Sequence, residues 1–282
     1  MGGLRNEKAM VSGRATRELR RVTRITGFGA LTAAMLPAFL ARQRMVGEEQ
    51  RDAVRERWVA AWCGALLALF GVRVLVKFAG SSESRPRTTT PAGFPRLPRE
   101  RGHLVVANHR STADILVLLR AFGGHMVSRA DIARWPLLGR SARSVGTVFV
   151  DRSDAVSGAS AVRSMRALLA RGSTVIVFPE GTTFTDDAVR PFQSGAFVAA
   201  LRSGADIVPI GLAYATGSGA AFVNETFGAH LARMAAADPS NVALCVGEPM
   251  LIAQNARAAD LRDRAHAEVQ RLVHDARRLV DG

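Results

Sequence analysis

Short apolar runs recur from residue 104 to residue 246 with helix-length segments between them, and this alternation constrains the fold more than any other feature. The runs at 104–107, 125–128, 147–150, 174–178, 208–214 and 242–246 read as strands. The segments at 112–122, 136–144, 155–170, 195–203 and 225–236 read as helices. Elements in this order imply one three-layer α/β domain, a mixed central sheet flanked by helices, with ligands at the carboxyl ends of strands. A partly alternating run at 71–80 looks like the first strand, and residues 258–280 like a closing amphipathic helix. Its arginines (262, 264, 271, 277 and 278) are nearly balanced by Asp260, Asp263, Glu268 and Asp275, which suits a solvated packing helix.

One strand end carries chemistry. The run at 104–107 stops at Asn108 and His109, and Ser111 and Thr112 offer N-cap oxygens before an apolar helix. Asp114 follows His109 by five residues. In regular helix that spacing places two residues roughly 140° apart. His109 must therefore sit in the turn ahead of the helix, where it can meet the Asp114 carboxylate. Such a pair fixes the imidazole tautomer and supports the imidazolium that forms when the other nitrogen takes a proton. Ser111 and Asp114 also satisfy a plain capping-box variant. Three further stretches involve such strands: Asp151-Arg152 and Pro179-Glu180-Gly181-Thr182 end two of them, and in Val208-Pro209-Ile210 Pro209 suits a strand start. Singly these read as an ion pair, a turn and an edge stop.

At 282 residues the chain has room for that domain and an N-terminal appendage. Residues 1–24 are basic, 25–41 carry no charge, 42–57 are strongly charged and 58–72 are apolar again. Neither apolar block reaches the ~20 residues of a spanning helix, and Pro37 interrupts the first. They read as a helical hairpin over 25–72 dipping into one leaflet, with arginines at the headgroups and Trp58 and Trp62 near the interface. The domain division is then 1–24, 25–72 and 73–282. A single span over 25–41, or a signal peptide with Arg20-Arg21 as a twin-arginine hint, are the competing readings. Against the signal peptide stand the second apolar block and the lack of a clean small-x-small site after Ala41. Residues 81–102, rich in Ser, Thr, Pro and Arg, read as a linker.

The net charge of +14 is almost wholly arginine and fits an anionic partner, a phospholipid surface or nucleic acid. No aromatic-interleaved basic stretch or zinc-finger spacing supports nucleic acid, so none is expected. Cys63 and Cys245 are isolated, which suggests neither a disulfide framework nor a metal site.

Together the blocks Asn108-His109-x4-Asp114, Gly146 to Arg152, Phe178 to Thr182 and Val208 to Ile210 resemble those of the PlsC-type lysophospholipid acyltransferases, the glycerolipid acyltransferase superfamily. The resemblance covers about residues 71–250, and the apolar hairpin is similar to that family's membrane-docking helices. It implies a glycerol-3-phosphate acyltransferase-like fold. It also implies transfer of a fatty acyl group from acyl-CoA or acyl carrier protein to a lysolipid hydroxyl, at the cytoplasmic face of the inner membrane. His109 would be the general base and Asp114 its orienting partner. Asn108, Arg129, Arg152, Glu180, Gly181 and Thr182 would bind substrate, Arg152 taking a phosphate and Glu180 holding acceptor hydroxyls or ordering the arginine. Backbone N–H groups near Gly181 or at a helix start would serve the oxyanion. No Gly-x-Ser-x-Gly elbow is present, so direct transfer is preferred over a serine acyl-enzyme. No metal or cofactor is expected beyond the thioester co-substrate.

Two departures bear on the acceptor. Members that make phosphatidic acid usually carry Arg where Thr183 stands and Lys where Gln193 stands, whereas Arg129 keeps the charge of a family lysine. Arg190 is a candidate to compensate. The expected acceptor is 1-acylglycerol-3-phosphate. Thr182-Thr183 looks like the subgroup acting on lyso-ornithine lipid or other bacterial lysolipids, which is the alternative. A non-catalytic membrane lipid-binding protein is the alternative of another class.

Overall fold

A strand with no solvated face must be covered on both sides, and that requirement organises the molecule. The computed structural model describes residues 2–79, 97, 100–222 and 224–282, with side chains from residue 13. In it β2 (His103–Ala107) is buried along its whole length. Val105 and Ala107 enter one apolar cluster and Leu104 and Val106 another, as alternate side chains of a strand must. Beside β2 lie β1 (Val72–Phe78), β3 (His125–Arg129), β4 (Val148–Val150), β5 (Thr174–Val177), β6 (Asp206–Tyr214) and β7 (Ser240–Val246). Their order is β1-β7-β6-β2-β5-β3-β4. From β6 to β4 every pairing is parallel, whereas β6 and β7 are antiparallel, so the sheet is mixed as expected. The carboxyl ends of β2 to β6 therefore share one edge. The linker expected at 81–102 lies mostly outside the described residues.

The third and first layers are helical. On one face α5 (Ala155–Ala170), α6 (Gly195–Ser203) and α8 (Ala258–Asp281) bury Met165, Leu169, Phe197, Leu261 and Val269 against the sheet. Gly211 lets α8 come close to β6, since a Cβ there would run into the backbone of Leu272 and Val273. On the other face lies α3 (Ala113–Phe122), with α4 (Leu138–Ser144) and α7 (Phe227–Ala236) nearer the rim. A 3-10 turn at Ala130–Arg134 was not expected from the sequence.

Pro209 sits inside β6 and not at its start. Its carbonyl accepts from Gly247 N–H at 2.9 Å, beyond Val246, where β7 ends. The nitrogen of the same residue faces that side too, so the missing donor meets the loop after β7 and costs no ladder bond.

The N-terminal hairpin is present, and its details correct two expectations. α1 (Gly2–Met45) runs unbroken through Pro37 and through the boundary expected at residue 24, and α2 (Glu48–Phe70) returns beside it. Val59, Cys63 and Leu67 of α2 belong to the apolar cluster under α3, so the second apolar block is packed into the domain. Arg24 is buried. It donates to Leu69 O at 3.0 Å and to Ala237 O at 2.6 Å, closing the carbonyl ends of α2 and α7 together. Arg20 bonds Ala237 O and Asp238, so both arginines serve the protein and not headgroups. Trp62 donates to Thr32 at 3.1 Å, and Trp58 packs on Phe39, clasping the two helices. Residues 13–45 remain long and apolar enough, by length and composition, to cross a membrane. Burial pushes both thiols up, that of Cys245 to about 12, which leaves them unreactive.

Arg55 of α2 reaches the sheet at His125, whose Nδ1–H donates to Gly146 O at 2.8 Å and whose Nε2 accepts from the guanidinium. Burial first, and the Arg55 charge second, hold the His125 pKa down at about 4. The unfolded chain therefore binds the proton more readily between about pH 4 and 6.5. Stability from this group is complete above about 6.5 and lost as pH falls to about 4, a swing of roughly 3 kcal/mol. Urea unfolding across that range should show the decline, and His125→Asn, which keeps a donor for Gly146, should flatten it.

Candidate active site

Each of the parallel strands delivers one polar residue to the shared edge. His109 follows β2, Arg129 ends β3, Arg152 follows β4, Glu180 follows β5 and Tyr214 ends β6. In the turn after β2 the His109 ring does fold back onto the first turn of α3. Its Nδ1 lies 2.9 Å from Asp114 Oδ2. The same oxygen accepts from the N–H groups of Arg110 at 2.7 Å and Ser111 at 2.8 Å, so the carboxylate also organises the turn. Ser111 caps more modestly, its Oγ taking the Ala113 N–H at 3.2 Å. Asp114 is 0% exposed, whereas the His109 side chain retains 17%, so one end of the imidazole is reachable. With Nδ1–H given to the carboxylate, Nε2 is left as the basic atom. The ring lies flat on Phe178, centroids 3.9 Å apart at 8°.

Glu180 is part of the frame. One carboxylate oxygen accepts from His109 N–H at 2.7 Å and the other from Arg190 N–H at 2.9 Å. Burial raises its pKa, against the pull of those two amides and of the imidazole. Both Glu180 oxygens thus hold backbone N–H groups. Asn108 likewise holds backbone. Its amide donates to Leu212 O at 3.0 Å and accepts from Leu212 N–H at 2.8 Å, extending the β2–β6 ladder by one side chain. It is a buried brace between β2 and β6.

Gly181 adopts φ 92°, and a Cβ there would strike the Arg152 guanidinium, which bonds the Gly181 carbonyl. Gly181 N–H is committed to Phe178 O at 3.1 Å, so it is no oxyanion donor. Thr182 is exposed beside it. Burial against this loop, and the neighbouring charge of Arg129, lower the Arg152 pKa. Arg129 meanwhile forks onto Asp131 at 3.1 and 3.0 Å. Arg190 lies 4.9 Å above the Phe184 ring, and Phe184 N–H bonds His109 O at 3.0 Å. The structure thus brings His109, Asp114, Glu180, Gly181, Arg152 and Arg129 to one edge, with Arg190 on the adjoining loop.

Three residues of the site were not singled out from the sequence. Phe178 backs the imidazole. Arg110 is buried, paired with Asp187, and its carbonyl accepts from Phe222 N–H at 2.8 Å. Tyr214 is fully buried and donates from Oη to Asp114 Oδ1 at 2.6 Å. Its place at the end of a strand beside β2 was the available signal. An apolar cavity of about 270 Å³, with Thr112 in its wall, runs between α1, α2, α3 and α7 and is also lined by Trp62, Ile115, Leu116, Met126 and Trp135. The two tryptophans of α2 thus face this cavity.

Comparison with known proteins bears on the same stretch. The family model described as Acyltransferase matches residues 91–213. A lyso-ornithine lipid O-acyltransferase of Pseudomonas aeruginosa is 32% identical over 203 residues, 70% of this chain and 69% of that protein. A 1-acyl-sn-glycerol-3-phosphate acyltransferase of Neisseria gonorrhoeae is 31% identical over 122 residues, 43% of this chain and 48% of that protein. The crystal structure of the 1-acyl-sn-glycerophosphate acyltransferase PlsC from Thermotoga maritima shares the fold, with TM-score 0.67 at 20% identity, covering 92% of this chain and 97% of that one.

The brace role of Asn108 has a direct check. Asn108→Ala leaves the Leu212 N–H and carbonyl bare in the core and should cost about 2–3 kcal/mol in denaturant unfolding. An unchanged midpoint would return Asn108 to the ligand-binding set.

Proposed function

The chain belongs to the acyltransferase family, and on that premise we propose that it transfers a fatty acyl group from a thioester to the free hydroxyl of a membrane lysolipid. The observation that carries this reading is the reachable His109 imidazole, locked on Asp114 at 2.9 Å, three residues from Thr112 in the wall of an apolar cavity. His109 Nε2 takes the acceptor hydroxyl proton as the oxygen attacks the thioester carbonyl. A C–O bond forms, the C–S bond breaks, and the imidazolium returns the proton to the departing sulfur. Asp114 steadies the imidazolium in between. The oxyanion donors are assigned to backbone N–H groups of the loop after Gly181 or at the start of α3. The acyl chain fits the apolar cavity.

Arg152 and Arg129 are assigned to the acceptor's anionic headgroup. The donor is acyl-CoA or acyl carrier protein, and both place the site at the cytoplasmic face of the membrane that α1 contacts. The acceptor assigned first is 1-acylglycerol-3-phosphate, giving phosphatidic acid. Lyso-ornithine lipid is the second reading, favoured by Thr183 and Gln193 where two cations are absent and by the long match to the Pseudomonas protein.

The test incubates the protein in detergent or vesicles with labelled acyl-CoA and a panel of lysophosphatidic acid, lyso-ornithine lipid and a lysophospholipid with a capped phosphate. His109→Ala should lower turnover by about 10²–10⁴-fold while vesicle binding persists. Turnover retained by that variant would overturn the mechanism. Wild-type protein that binds vesicles but acylates nothing, with either carrier, would leave the lipid-binding reading.

A further inference from the structure

The His–Asp pair has a third member that the acyl-transfer mechanism above does not use. Asp114 Oδ2 is saturated by His109 and two turn amides, whereas among the described residues Tyr214 is the side chain bonded to Oδ1, at 2.6 Å. The geometry points to Tyr214 as a positioning residue that sets the basicity of His109 through Asp114, as the outer member of a Tyr–Asp–His relay of hydrogen bonds. The proposal rests on the acyl-transfer reading for its kinetic consequence, though not for its spectroscopic one.

The physical case has three parts. Tyr214 is buried at the end of β6, where its hydroxyl meets Asp114 and the Ser111 side chain of the same turn, so its effect on His109 passes through the carboxylate and that turn. Burial and the adjacent negative charge raise the phenol pKa, so the hydroxyl remains a neutral donor at every working pH. A donor on Oδ1 draws charge from the carboxylate and so moderates its pull on the imidazolium. It also pins the plane that aims Oδ2 at Nδ1. The other ionisable groups around the pair are Glu180 beyond β5, Arg110 in the turn and His230 on α7. Glu180 and His230 face other partners: both Glu180 oxygens hold amides, and His230 Nδ1 bonds Glu225 at 3.0 Å. Arg110 pairs with Asp187.

The experiment exploits the fact that Tyr214 is the only tyrosine in the chain. Growth on 3-fluorotyrosine then labels this site alone, keeps every atom of the fold and makes the phenol a stronger donor. The acid limb of the kcat/KM–pH profile should move down in the fluorinated protein. In Tyr214→Phe, where the carboxylate recovers its full charge, it should move up by about 0.5–1 pH unit. The alkaline plateau and both KM values should stay within about threefold. A merely structural tyrosine would not give shifts of opposite sign. In parallel, the single ¹⁹F resonance should titrate with His109, and that titration should vanish in His109→Ala. This readout needs no turnover, so it separates failure of the relay from failure of the acyl-transfer reading. Limbs that coincide in all three proteins, or a ¹⁹F shift indifferent to His109, would overturn the proposal. If Tyr214→Phe does not fold, the fluorinated protein and its resonance decide alone.

Discussion

A carboxylate with no exposure to water can be kept in a protein only if its lone pairs are filled, and Asp114 dictates much of this structure on that account. Its donors come from the turn after β2, from the His109 ring and from β6, a hundred residues on in sequence. Satisfying it requires β6 beside β2, α3 beginning where it does and the His109 turn closed. The parallel pairing of β2 with β6 and the Asn108 bridge to Leu212 supply that closeness. The reactive pair is thus a product of core packing, and its geometry is as rigid as the sheet.

The loop from Gly181 to Arg190 depends on a second clamp. Gln270 of α8 accepts from Val189 N–H at 2.8 Å and donates to Asp187 O at 3.0 Å, and Arg277 forks onto Asp187 at 2.8 and 3.1 Å. Asp187 also holds Arg110 in the His109 turn. The closing helix, expected as a packing element with a solvated face, therefore has a polar side that fastens the site loop. Its balance of arginines and acids conceals this, because charge counts along a helix do not say which residues pair across the fold.

What was legible in the sequence follows the same division between local and distant. The strand-to-helix switch at His109, the shared strand edge and the limits of α5 and α6 rest on local apolar patterning, and they stand. The PlsC-like blocks placed Arg129, Arg152 and Gly181 at one edge, because each terminates or follows a parallel strand. The roles of Asn108 and Glu180 were not legible. Polar residues at a strand end look alike whether they face a ligand or a neighbouring backbone. Pro209 misled because its tolerance depends on where a distant strand, β7, happens to end. Tyr214 carried no local motif at all.

The N-terminal helices show how the same logic couples the hairpin to the site. Had α2 been a free arm in a leaflet, α1 and α2 could tilt without disturbing the site. Instead Cys63 and Leu67 lie in the core, and Arg24 closes the ends of α2 and α7 at once. Those same helices, with α1 and α3, wall the cavity that Thr112 helps to line, three residues from His109. A displacement of α1 against the body must break the buried, charge-assisted bonds of Arg24 to the carbonyls at the ends of α2 and α7, which is costly. The cavity and the imidazole therefore move as one body with the hairpin.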